Sequence, residues 1–378
     1  GPLIPDLITG SIFIEAIFRI PGLGGYWVTS TFDRDYPMII GLVMLWAVLI
    51  AVAVFLYVAL DGFDLGVGIL FPFAKDARER DQMQAAIAPV WDGNETWLVL
   101  GGGGLFAAFP KAYAALMPAL YAPIILMLLA LIFRGVGFEF RHHGRGLGAK
   151  WWTIAFSAGS IVAAIAQGFV LGGFIQGVTL EGGQFAGGAF DWLTPFSLLV
   201  AASLVAGYAL LGATWLVFKT QGELFERARQ WVKRLALLTA LAMGAVSLAT
   251  LGVDPRVTER WGLTMSSVDW PTFIKLAPLP ILAAAICYLL WRGADKRRHL
   301  APYLLAVALF MIGYLGLAVS LWPYIVPFAM TPAEAASADN ALGFMLWGAA
   351  PLLPLILAYT AYVYWTFRAK VDDDVAYH

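Results

Sequence analysis

Met38 to Leu60 reads MIIGLVMLWAVLIAVAVFLYVAL, and Asp61-Gly62-Phe63-Asp64 follows directly. The apolar run contains no Asp, Glu, Lys or Arg. As a helix rising 1.5 Å per residue it covers about 34 Å, enough for a hydrocarbon layer of about 30 Å. A helix on a soluble core keeps a polar face, and this run has none. It reads as a membrane-spanning helix with room to continue to Phe73. A second acidic run, Trp91-Asp92-Gly93-Asn94-Glu95, opens the next apolar stretch. An ionisable group at membrane depth costs roughly 2.5 kcal/mol or more unless it is paired, hydrated or near the interface. Two such runs flanking one short connection point to a place where protons or ions meet the protein.

Composition extends this reading to the whole chain. Of 378 residues, 61% are hydrophobic and 13% charged, against about 25% charged in a soluble domain. So much apolar surface does not fit inside a water-soluble core, so the chain is polytopic. A net charge of −1 gives no polybasic face for nucleic acid. The single Cys287 excludes an internal disulfide, a Cys-based cluster and a Cys-based zinc site. Fifteen Trp residues suit interfacial belts. No cleavable signal pattern is present. The opening Gly1 reads as a fragment or a processed product.

Nine apolar runs have spanning length: roughly 38–60, 89–109, 112–133, 152–173, 195–218, 234–253, 272–291, 300–322 and 342–366. The fold class that follows is an all-α polytopic membrane protein of about nine transmembrane helices. Pro118, Pro123, Pro278, Pro280, Pro351 and Pro354 mark kinks that neighbouring helices must support. Basic residues collect in every second loop: Lys75, Arg78 and Arg80; Arg134, Arg141, Arg145 and Lys150; Lys219 to Arg234; Arg292 to Arg298; Arg368 and Lys370. Loops 174–194 and 323–341 carry no Lys or Arg. The positive-inside rule then puts the C-terminus in the cytoplasm and both acidic runs on the cytoplasmic side. Gly101 to Gly104 reads as close helix packing through small residues. With no Gly-Lys-Ser/Thr after it, it is not a phosphate loop. The Gly-rich stretch 172–188 reads as a flexible external loop.

The chemistry sits in a small set of polar residues. His142, His143, His299 and His378 all lie in loops or at the tail, so a bis-His haem inside the bilayer has no ligands here, while His-Met or Met-only ligation stays open. Asp61 and Asp64 are spaced i, i+3, as are Asp92 and Glu95. On a helix each pair shares a face, where two carboxyls can share a proton and serve a relay. The alternative is structural: the acids cap helices at the interface, with Asp92 at a helix N-terminus, or bind backbone and a nearby Arg. Glu139 between Arg134 and Arg141 reads as part of a buried ion pair. Gln167 and Gln176 read as interhelical hydrogen bonds. Glu223 and Glu226 beside Arg227 and Arg229 read as a solvated helix face, and Asp372 to Asp374 as an acidic tail.

From about Trp46 to His378 the chain resembles subunit II of a cytochrome bd-type quinol oxidase. The residues that carry this are Leu60-Asp61-Gly62-Phe63-Asp64-Leu65-Gly66-Val67-Gly68 and Ala88-Pro89-Val90-Trp91-Asp92-Gly93-Asn94-Glu95-Thr96-Trp97-Leu98. Gly101 to Pro110 and Phe133-Arg134-Gly135-Val136-Gly137-Phe138-Glu139-Phe140-Arg141 follow in order. The Asn94-Glu95-Thr96-Trp97 form and the Tyr377-His378 ending are more similar to the cyanide-insensitive branch. The resemblance implies two four-helix bundles plus one peripheral helix in a bacterial cytoplasmic (inner) membrane. It implies a complex that oxidises quinol and reduces dioxygen to water. The b-type and d-type haems, or b-type haems alone, belong to partner subunit I, so no redox centre, cofactor or metal is expected in this chain. Partners are that subunit in a heterodimer, membrane lipid and, in some members, a small accessory subunit. In some members this subunit also holds a structural quinone, for which no position is assigned here. By the same resemblance Asp92 is the acidic residue of a cytoplasmic proton path, with Asp61 and Asp64 the acidic pair of the first helix and Glu95 a fourth candidate. The alternatives are a transporter permease or a purely structural membrane scaffold.

Residues 1–45 depart from that family. Leu7-Ile8-Thr9-Gly10-Ser11, Glu15-Ala16-Ile17-Phe18, Ile20-Pro21-Gly22-Leu23-Gly24 and Asp33-Arg34-Asp35-Tyr36-Pro37 resemble the C-terminal end of an oligopeptide-type ABC-transporter permease. The segment lacks the cytoplasmic loop that would engage an ATPase. It reads as a gene fusion or an artefact of sequence assembly, joined near Gly41 to Ala47 without a change of topology.

Overall fold

The computed structural model describes residues 36–141, 147–264, 267–293 and 299–371. Residues 1–35 of the permease-like segment, His142, His143, His378, Arg145, Lys296 to Arg298 and Asp372 to Asp374 lie outside the described residues. The first helix, α1, runs from Tyr36 to Leu70, and a 3-10 turn extends it to Phe73. At 1.5 Å per residue it is about 52 Å long, well beyond the hydrocarbon layer. Asp61 and Asp64 therefore lie inside the last third of a continuous helix, not at its end. The join expected near residue 45 also falls inside α1, so the described structure has no break there.

A short amphipathic helix follows, α2 (Ala77–Ile87), capped by Asp76, whose side chain accepts from the Glu79 backbone N–H. Then come α3 (Trp91–Ala108), α4 (Pro110–Ala119), α5 (Tyr121–Phe140) and α6 (Leu147–Gln176). The single run expected over 112–133 is thus two helices meeting at Leu120, between Pro118 and Pro123. Each proline removes a backbone donor, which favours the break. The stretch 172–188 also differs from a flexible loop. Gly172 and Gly173 belong to α6, and a two-stranded hairpin follows, β1 (Leu180–Glu181) with β2 (Gln184–Phe185). Its turn uses Gly182 and Gly183, both at positive φ, where a side chain would be strained.

The second half begins with α7 (Pro195–Lys219), started by a Thr194–Ser197 capping box. It continues through α8 (Gly222–Leu251), α9 (Pro255–Arg260), α10 (Trp270–Leu276), α11 (Pro278–Gly293), α12 (Ala301–Leu321), α13 (Pro332–Ala335) and α14 (Asp339–Thr366). The run at 272–291 is interrupted at Ala277, before Pro278 and Pro280. Helix α8 starts twelve residues earlier than its apolar run, because its first turns carry Glu223, Glu226, Arg227 and Arg229 as a solvated face. Glu223 meets Lys75 at 2.9 Å and Glu226 meets Arg229 at 2.8 Å.

Eight helical segments among the described residues are long and apolar enough to cross a membrane. The ninth expected span, α3, forms but falls short of that hydropathy, because Asp92, Asn94, Glu95, Thr96 and five glycines dilute its apolar content. Helices α1, α3, α5 and α6 pack as one group, and α7, α8, α11 and α12 as another. Contacts of α7 with α1 and α6 join the groups. Helix α14 lies at the edge, touching α1 and α3, with most of its apolar length exposed. Lipid tails are as apolar as Leu, so close packing has to come from small residues. Gly66 of α1 faces Gly212 of α7, and a Cβ on Gly66 would collide with the Tyr208 carbonyl oxygen. In the Gly101 to Gly104 run, Gly101 and Gly104 pack on Val54 and Ile50, while Gly102 and Gly103 face open space.

Candidate functional site

Asp61 and Asp64 are buried where α1 meets α3 and α5 (0% and 1% exposed). Their i, i+3 spacing sends both carboxyls to one side of the helix, as the sequence predicts. Each then takes a different partner. Arg134 of α5, itself 1% exposed, donates from Nη1 to Asp61 Oδ1 at 2.7 Å. Asn94 of α3 donates from Nδ2 to Asp64 Oδ2 at 2.7 Å and to the Leu60 carbonyl at 3.3 Å. The Tyr364 hydroxyl of α14 donates to Asn94 Oδ1 at 2.8 Å, which fixes the direction of the amide.

A second chain of hydrogen bonds leads to Tyr57, on the same helix as Asp61, from deeper in the bundle. Tyr208 of α7 donates to Gln167 Oε1 at 2.7 Å. Gln167 of α6 donates from Nε2 to the Tyr57 hydroxyl at 2.6 Å. Tyr57 lies one turn before Asp61 on α1. Aromatic rings surround the cluster. Phe63 stacks on Trp215 at 4.0 Å and meets Tyr303 and Tyr364 edge-on, while Arg134 lies 5.9 Å from the Trp91 ring. In so apolar a setting an ion without a partner is costly, so the identity of each partner decides what the acids can do.

The outer edge of the cluster is Glu95. Its side chain is 27% exposed, and its Oε1 lies 3.7 Å from Arg134 Nη2. Asp92, one turn earlier, is exposed. It is the second residue of α3, whose cap position is Val90 with no side-chain capping bond. The capping role considered for Asp92 is therefore not realised. An acid in the first turn still suits the positive end of the helix. Exposure thus falls inward from Asp92 through Glu95 to Asp61 and Asp64.

Residues 42–367 match the profile of the family described as cytochrome bd terminal oxidase subunit II. The chain belongs to that family. This bd oxidase subunit II is 29% identical over 362 residues to cytochrome bd-I ubiquinol oxidase subunit 2 of Escherichia coli (strain K12), covering 87% of this chain and 95% of the relative. It is 28% identical to cytochrome bd ubiquinol oxidase subunit 2 of Bacillus subtilis (strain 168), with 87% and 96% covered. The solved bd oxidase of Geobacillus thermodenitrificans contains a chain of the same fold, with TM-score 0.68, 19% identity, and 86% of this chain and 99% of that one covered. A separate likeness is to the dipeptide transport permease DppB of Bacillus subtilis, 41% identical over 75 residues, or 20% of this chain and 22% of the permease.

The subunit II structure places the remaining predicted residues as follows. Arg134 and Arg141 are both buried, but neither is seen paired with Glu139. Arg134 joins Asp61, and Arg141 joins Asp81 at 2.7 Å and Gln84 Oε1 at 2.8 Å. Positions 134 and 141 are two turns apart and share a face, whereas 139 points away from it and is exposed. Gln167 and Gln176 make the interhelical bonds expected, Gln176 accepting from Thr194 at 2.6 Å. His299 precedes α12, with its Nδ1 3.0 Å from Lys370 Nζ and its ring against Phe225. Among the described residues no group of three or more His, Cys, Asp or Glu could hold a metal ion. Asn94, Tyr57, Tyr208 and Tyr364 were not singled out from sequence. The one signal for Asn94 is its place between the two acids of the second run.

Proposed function

We propose that this subunit II is the haem-free partner of a haem-bearing subunit I in a bacterial inner-membrane complex that oxidises quinol and reduces dioxygen to water. In this reading its acids supply protons from the cytoplasm. The observation that carries the proton route is the inward order of Asp92, Glu95 and the buried Asp61–Arg134–Asp64 cluster. Water reaches the outer acids, while the inner pair is fixed by ionic and amide partners. Loop charge supports a cytoplasmic entrance and a cytoplasmic C-terminus. None of the four histidines falls within an apolar run of the sequence, which supports haems held by the partner. Quinol as the substrate is supported by the relatives, which are ubiquinol oxidase subunits. Residues 1–45 are an appended permease-like segment, and residues 46–378 are the oxidase subunit.

The test is Asp92→Asn in the assembled complex. Oxygen uptake at saturating quinol should slow by about tenfold, equivalent to about 1.4 kcal/mol on the barrier, with haem content unchanged in the visible spectrum. Unchanged turnover would remove Asp92 from the route. Loss of haem would make it a structural residue.

A further inference from the structure

Asp61 and Asp64 are three residues apart, equally buried and of the same chemical type, yet their surroundings differ in charge. We propose that they divide the work: Asp61 stays an anion as the fixed partner of Arg134, and Asp64 carries the transferable proton. This rests on the proton-route reading above and deepens it.

Charge balance is the first argument. The buried part of the cluster holds one cation, Arg134, and two carboxyls. A buried guanidinium can neutralise one of them, and its charge-assisted bond at 2.7 Å goes to Asp61. Glu95 is 3.7 Å away and partly hydrated, so it adds negative charge at the rim and none of the missing positive charge. A second buried carboxylate would face no cation of its own, and protonation removes that charge. Exchanging the roles is worse on both sides. A protonated Asp61 leaves Arg134 with only Glu95 at 3.7 Å, and an ionised Asp64 faces an amide.

Hydrogen-bond direction is compatible with the same assignment. The Arg134 guanidinium donates to Asp61 Oδ1, so that oxygen can only accept. On the other side, Tyr364 donates to Asn94 Oδ1 and so turns the amide N–H toward Asp64 Oδ2. That oxygen can only accept, which leaves Oδ1 for the proton. Asp64 Oδ1 and Asp61 Oδ2 are both buried without a hydrogen-bond partner among the described residues, so the two acids differ in what holds their other oxygen: an amide at Asp64 and the guanidinium at Asp61. The titratable or charged groups acting on Asp64 are Asp61, Arg134, Glu95, Tyr303 and Tyr364. Arg134 is the cation among them, and Asp61 holds it. Asn94 is a positioning residue in this scheme, setting the state of Asp64 through one bond.

Infrared spectroscopy of the intact purified oxidase tests this. A protonated carboxyl gives a carbonyl stretch, separate from the ionised form, that shifts on exchange into heavy water. Difference spectra between the parent complex and Asp64→Asn should show one such band lost. Asp61→Asn with Arg134→Gln, which replaces the ion pair by two amides and avoids stranding the guanidinium, should keep it. A band that survives in Asp64→Asn, or one that vanishes in the double variant, overturns the assignment. Loss of the band in Asp64→Asn with unaltered proton uptake would uphold the assignment and overturn the proton route instead.

Discussion

Arg134 shows how a single side chain sets the meaning of its neighbours. Its bond to Asp61 joins two buried ions, and removing one partner of such a pair costs about 3–5 kcal/mol. Arg134→Leu should therefore lower the stability of the purified complex by that order in a denaturation experiment. An unchanged midpoint would show that Asp61 does not depend on it. Gln167→Leu strands the hydroxyls of Tyr57 and Tyr208 and should cost about 1–3 kcal/mol in the same assay. These two cases bracket what was legible at this scale. The acids stand out in sequence because charge is rare in apolar runs. Their partners do not, because Arg134 is far closer in sequence to Glu139 than to Asp61, and only helix periodicity and the packing of α1 decide between them. Asn94 and the three tyrosines are ordinary residues in a helical sequence, and only packing brings them to the acids.

At the scale of elements, the crossing of α1 and α7 is the contact with least tolerance. Gly66 and Gly212 meet backbone to backbone there, and a side chain at either position must push the helices apart. Gly66→Val should abolish assembly, read as loss of this subunit from complexes purified through the partner. Normal assembly would mean that the two helices do not approach so closely. Apolar length revealed the membrane-length helices in advance, since the membrane requires it, but not the short α2, α9 and α13. The breaks at Leu120 and Ala277 were signalled by proline, but their severity depends on which neighbours take up the freed backbone groups. The early starts of α6 and α8 were hidden because those turns lie outside the apolar runs; in α8 they carry the pairs Glu223–Lys75 and Glu226–Arg229.

For the whole molecule, two helix groups and an edge helix create a buried polar cluster at their shared seam, contributed to by α1, α3, α5, α6, α7 and α14. The permease-like segment contributes nothing to that cluster among the described residues. Deleting residues 1–35 should leave quinol-driven oxygen uptake of the assembled complex unchanged. A fall in uptake or assembly would make the segment part of the oxidase. The central claim is that this chain delivers protons to chemistry completed in another. The most direct measurement is the rate of proton uptake after an oxygen pulse, followed with a pH-sensitive dye, in the complex carrying Asp64→Asn with its full haem content. The account predicts proton uptake slowed by about tenfold or more, the equivalent of at least about 1.4 kcal/mol, with electron transfer slowed to match. Proton uptake as fast as in the parent complex would contradict it.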